Sequence, residues 1–127
     1  MPKTSHDLVV EAKQAIREVS LETARHLIQE GAVVLDVREP DEFAAGHVPG
    51  AIHIPRGMLE FRLAGTPELN DPRRTVLVYC KTSGRAALAT VALQSMGVAH
   101  AVSLEGGFDA WVASGLPVDL PPPVDFE

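Results

Sequence analysis

Thr75-Val76-Leu77-Val78-Tyr79-Cys80-Lys81-Thr82-Ser83-Gly84-Arg85-Ala86-Ala87-Leu88 passes from an apolar, strand-forming run through a short polar loop into an alanine-rich helical stretch. Cys80, the only cysteine of the chain, stands at the hinge. A side chain at the carboxyl end of a buried strand and just before a helix faces unpartnered backbone N–H groups and the positive end of the helix dipole. With Lys81 beside it and Arg85 closing the loop, Cys80 is expected to ionise more readily than a free thiol, whose pKa is about 8.5. A free cysteine is commonly just a small buried apolar side chain. A packing cysteine, however, belongs inside the apolar run rather than at the first position of a Lys-Thr-Ser-Gly-Arg loop, so Cys80 reads as a nucleophile.

Four residues separate Cys80 from Arg85. The loops that wrap a phosphoryl group around a thiolate in cysteine phosphatases have one residue more before the arginine, which widens the ring of amides. The tighter loop suits a single sulfur atom carried on the cysteine, with the amides of Lys81, Thr82, Ser83, Gly84 and Arg85 as an anion-binding nest. Gly84 permits close approach.

Outward from this stretch, strand and helix patterns alternate. Leu8, Ala12, Ala15, Ile16 and Val19 recur at spacings of three and four, opposite Glu11, Lys13, Gln14, Arg17 and Glu18, which predicts an amphipathic helix packed on the outside of the domain. Ser20 caps a helix with Leu21, Ala24, Leu27 and Ile28 inward, ended by Gly31. Residues 32–37 are apolar without alternation, the mark of a strand buried on both faces. Pro40, Asp41 and Glu42 open a short helix that Gly46 ends, with acids suited to the dipole of its first turn. Residues 51–54 read as a short strand and 57–63 as a helical turn or two. The helix over 85–96 has few polar residues after its first turn and should be the most buried. Residues 101–104 form the last strand and 108–114 the closing helix, in which Trp111 is core. Pro121-Pro122-Pro123 lead into Val124-Asp125-Phe126-Glu127, expected to be extended and poorly ordered. The alternation predicts a parallel sheet covered on both faces, with ligands bound at the strands' carboxyl ends, where Asp36, Arg38, Cys80 and Glu105 fall.

Four motifs stand in order along the chain: Leu35-Asp36-Val37-Arg38-Glu39-Pro40-Asp41-Glu42-Phe43, then Gly46-His47-Val48-Pro49-Gly50-Ala51, then the loop of residues 80–85, then Leu104-Glu105-Gly106-Gly107-Phe108-Asp109-Ala110-Trp111. On these motifs the chain resembles a single-domain rhodanese, of the thiosulfate sulfurtransferase family. The resemblance implies a three-layer α/β/α domain over residues 20–118 with a central, mostly parallel sheet of about five strands. An N-terminal helical extension, 1–19, and a Pro-rich tail, 119–127, would flank it. A short strand is expected just before Ser20, where residues 17–19 compete with the helix end. The resemblance also makes the 81–85 loop the substrate cradle. It implies transfer of a sulfane sulfur from thiosulfate or a persulfide, through a Cys80 persulfide, to cyanide or another thiol. A persulfide relay to a partner protein and a binding module without turnover are the alternatives. A phosphatase or arsenate reductase conflicts with the loop length.

Other ionisable residues are weighed against that chemistry. Asp36 and Arg38 adjoin an apolar strand, where an unpaired charge is costly, so they should form a buried pair supporting the loops. His47 and His53 are candidate bases for Cys80, but an electropositive loop ionises a thiol without one. Arg56, after Pro55, either lines the mouth of the site or faces solvent.

A chain of 127 residues makes one domain the default, able to bury about two thirds of its unfolded surface without a metal or disulfide. One cysteine and five histidines without ligand spacing indicate neither a metal nor a cofactor, and a reducing cytoplasmic setting. The first residues lack a secretory pattern and no apolar run suits a membrane span. The net charge of −6 argues against nucleic acid. It is unevenly spread: residues 38–85 carry +1 and the remainder −7. The loop thus lies in the less acidic part, which suits a small anionic sulfur donor such as thiosulfate and a thiol or protein acceptor. The oligomeric state is left open.

Overall fold

The computed structural model describes residues 1–122, so the end of the tail, 123–127, lies outside the described residues. Five strands, β1 (Glu18–Val19), β2 (Val33–Asp36), β3 (Ile52–His53), β4 (Val76–Tyr79) and β5 (Ala101–Leu104), form one sheet in the order β1-β5-β4-β2-β3, and every pairing is parallel. Around it lie α1 (Ser5–Ala15), α2 (Leu21–Gln29), α3 (Pro40–Ala45), α4 (Leu59–Arg62), α5 (Gly84–Ser95) and α6 (Gly107–Ala113).

Alternation along the buried strands feeds two cores. Val33, Leu35, Val76, Val78, Cys80 and Ala101 pack with Leu59, Leu63 and Leu69 and with Ala86, Ala89 and Leu93 of α5. Val34, Leu77, Tyr79, Val102 and Leu104 pack with Ala24 of α2 and Trp111 of α6. Each of the three central strands is buried at every residue, because helices cover both faces. Truncating such a leucine to alanine typically costs about 2–5 kcal/mol.

Local signals set most boundaries. Thr4 and Asp7 close a reciprocal capping box on α1. That helix stops at Ala15, short of the apolar stripe's end, because Glu18 and Val19 pair with Ser103 and Leu104 of β5. Ser20 caps α2 by accepting Thr23 N, and Gly31 follows that helix at φ +97°. The closing helix starts at Gly107, one residue before the expected position. With five buried residues, α5 is the most buried of the helices, and α1 lies along it. Past α6, Asp119 exchanges both backbone hydrogen bonds with His47, each 2.9 Å, so the first residue of the tail is paired to the domain.

Candidate active site

Cys80 immediately follows β4 at the carboxyl edge of the sheet and is 1% exposed. Its Sγ accepts the backbone N–H of Ala86, in the first turn of α5, at 3.3 Å. The amides of Lys81, Thr82, Ser83, Gly84 and Arg85 donate to no carbonyl among the described residues. The loop's carbonyls are engaged elsewhere: Phe108 N donates to Cys80 O at 2.8 Å and Asp109 N to Lys81 O at 3.0 Å. The loop is therefore gripped from the carbonyl side by the first turn of α6, while its amides have no backbone acceptor among the described residues.

This grip requires a glycine. A Cβ on Gly107 would overlap Thr82 O and stand 2.5 Å from Cys80 O and 2.7 Å from Lys81 O. Gly107 also has φ +56°, a conformation disfavoured for residues with a side chain.

Each loop cation is met by a carboxylate from another element. Arg85 donates to Glu42 of α3 through both terminal nitrogens, at 2.6 and 3.0 Å. The hydrogen bond from Arg85 holds the Glu42 carboxyl well below its usual range, at about 2, against the opposing effect of burial. Lys81 pairs with Asp109 at 2.8 Å on the surface. Lys13 of α1 donates to the Ser83 hydroxyl at 2.7 Å, with Glu18 at 3.9 Å. Sequence reasoning brought Lys81 and Arg85 to the loop but missed Glu42, Asp109 and Lys13 as their surroundings. Glu42 was readable only as a helix-dipole acid, and nothing in the linear sequence joins Lys13 to Ser83.

Asp36 and Arg38 are 0% and 4% exposed and form a buried pair, Nη2 to Oδ2 at 2.8 Å. Arg38 also donates to Gly46 O at 2.7 Å, and its guanidinium lies 4.3 Å from the Phe108 ring centroid. The Tyr79 hydroxyl donates to Asp36 Oδ2 at 2.6 Å and accepts Val48 N at 3.1 Å. Burial, and then the neighbouring Asp36 charge, push the Tyr79 phenol far above its ordinary value, so it stays a neutral donor. Burial disfavours the Arg38 charge, but the hydrogen bonds and charge of Asp36 outweigh it and raise its pKa. This network ties β2, β4, the residue after α3 and the start of α6 together.

The remaining candidates make no hydrogen bond to the sulfur among the described residues. His47 and His53 stack on the two sides of Phe43, with ring nitrogens on Phe43 O and Arg38 O. Arg56 pairs with Glu60 at 2.9 Å and borders a groove between α1 and α5. Among the described residues no cluster of His, Cys, Asp and Glu could hold a metal ion, and no helix is long and apolar enough to cross a membrane.

The chain as a whole is similar to known proteins. The family model described as a rhodanese-like domain matches residues 20–114. A sulfurtransferase of Allochromatium vinosum is 32% identical over 92 residues, covering 72% of this chain and 82% of the relative. The thiosulfate sulfurtransferase GlpE of Pseudomonas entomophila is 34% identical over 95 residues, covering 75% of this chain and 84% of the relative. Among solved structures, a Rhodopseudomonas palustris protein of unknown function, described as a possible tyrosine phosphatase, superposes with a TM-score of 0.77 at 30% identity, covering 94% of this chain and 99% of that one.

Proposed function

This chain belongs to the rhodanese-like family and its reaction class is sulfur transfer; on that premise we propose that the sulfur travels on Cys80 as a persulfide. The observation that carries this reading is the Cys80 sulfur at the amino terminus of α5, hydrogen-bonded by Ala86 N beside a run of loop amides that no carbonyl claims among the described residues. The Cys80 thiolate attacks the outer sulfur of thiosulfate or of a persulfide. The new Sγ–S bond forms as the donor's S–S bond breaks, and sulfite or a thiolate departs with the bonding pair. An acceptor, cyanide or another thiolate, then attacks the outer sulfur of the Cys80 persulfide and restores the thiolate. Lys81, Thr82, Ser83, Gly84 and Arg85 cradle the charge through their amides, while Asp36 and Arg38 support the loop from below. Double displacement of this kind gives ping-pong kinetics.

The loop length separates this reading from the phosphatase description of the Rhodopseudomonas protein, since only four residues stand between Cys80 and Arg85. Thiosulfate treatment should add one sulfur atom to the intact mass of the protein, and cyanide should then release thiocyanate. The Cys80→Ser variant should do neither. A wild-type protein that gains no sulfur from thiosulfate or from a small persulfide overturns the proposal, as does Cys80-dependent hydrolysis of an aryl phosphate. Slow loading from thiosulfate with fast loading from a protein persulfide would move the assignment from enzyme to relay.

A further inference from the structure

Ser83 occupies the N-cap position of α5, where a serine hydroxyl ordinarily accepts the N–H of the second or third helical residue. Here that bond is missing. The third residue, Ala86, gives its N–H to Cys80 Sγ, and the Ser83 oxygen accepts Lys13 Nζ at 2.7 Å instead. An ammonium can only donate, so the Ser83 oxygen accepts from Lys13 while making no bond to the first turn of α5. Lys13 belongs to α1, outside the residues matched by the family model. The same helix sets Val9 against the loop, its Cγ2 3.4 Å from where a Cβ on Gly84 would stand. Lys13 also has a carboxylate nearby, but Glu18 Oε2 at 3.9 Å is beyond hydrogen-bond range, and the ammonium is seated on the serine.

We propose that Lys13 is a positioning residue for the nucleophile: it holds the Ser83 hydroxyl out of the α5 cap and thereby reserves the Ala86 amide for the Cys80 sulfur. Without the lysine, the hydroxyl is free to turn into the cap and compete for that amide. The inference deepens the reading of Cys80 as nucleophile and rests on it.

Alkylation of Cys80 by iodoacetamide at neutral pH tests it without any sulfur donor, so its result stands apart from whether thiosulfate loads the protein. Lys13→Met should slow alkylation about tenfold, the order expected when a hydrogen bond to a charged acceptor is lost. Lys13→Arg, which keeps a donor at that place, should restore most of the rate. In a Ser83→Ala background, Lys13→Met should have no further effect, because no hydroxyl remains to compete. The lysine side chain is 35% exposed, so these substitutions leave the core intact. Unchanged alkylation in Lys13→Met, or equal slowing in both backgrounds, overturns the proposal; equal slowing would mark Lys13 as a docking contact of α1 alone.

Discussion

Arg85 illustrates how a single residue of the loop acquires its setting from elsewhere. Its two hydrogen bonds to Glu42 fix the guanidinium beside the cradle, and they hold the Glu42 carboxyl at about 2 in the fold against an ordinary 4.5. A folded-state value below the unfolded one means that the pair's contribution to stability is complete above about pH 4.5 and is lost as pH falls through about 2. Both partners are partly exposed, so the contribution is that of a screened pair, about 0.2–1 kcal/mol. Glu42→Gln should therefore melt about 1–4 °C below the wild type near neutral pH. That gap should narrow as the pH is lowered from 4.5 toward 2. Thermal unfolding followed by circular dichroism across that range checks this, and a gap that does not narrow would show that the Glu42 charge is not its source.

At the scale of elements, the loop is less a property of β4 and α5 than of their contact with α6. The first-turn amides of α6 take the carbonyls of Cys80 and Lys81, and Gly107 lets the two backbones approach closely. Gly107→Ala forces a side chain into a positive-φ position and against three carbonyl oxygens. The expected cost is at least about 2 kcal/mol of stability, from backbone strain and overpacking together. Sulfur loading at a temperature where the variant remains folded should fall with it, because the loop must move away from α6. A variant that melts like the wild type and loads at the same rate would show that the grip is dispensable. The Gly106-Gly107 pair was visible in the sequence as an outgoing loop, but the object it had to approach was some twenty-five residues upstream and invisible to local patterning.

For the whole molecule, charge is the property that reaches farthest. The chain carries a net −6, and Lys81 and Arg85 are each joined to a carboxylate, with Glu18 also close to Lys13. A dianion such as thiosulfate therefore approaches an acidic body whose loop cations are largely offset. Raising the ionic strength from about 0.01 to about 0.1 M shortens the screening length from about 30 to about 10 Å. It should weaken this repulsion, raising the rate of sulfur loading at low thiosulfate concentration by about twofold. A rate that falls with salt would mean that the cationic loop dominates the field seen from a distance, as the uneven charge along the sequence suggests on its own.

Periodicity, caps and turn residues were enough to read the alternation of strands and helices, because burial on a strand or helix face is written locally as spacing. They also placed Asp36, Arg38 and Cys80 at the carboxyl edge, since that edge follows from where the apolar runs stop. The end of α1 was legible only as a competition, because an apolar stripe that continues to Val19 looks helical until β5 is there to pair with Glu18 and Val19. The partners of the loop had to come from tertiary structure: Glu42, Asp109 and Gly107 from α3 and α6, and Lys13 from a helix seventy residues before Ser83. Hydrogen bonds and close approaches depend on distances in space, and no spacing within one segment encodes which remote segment will fold against it.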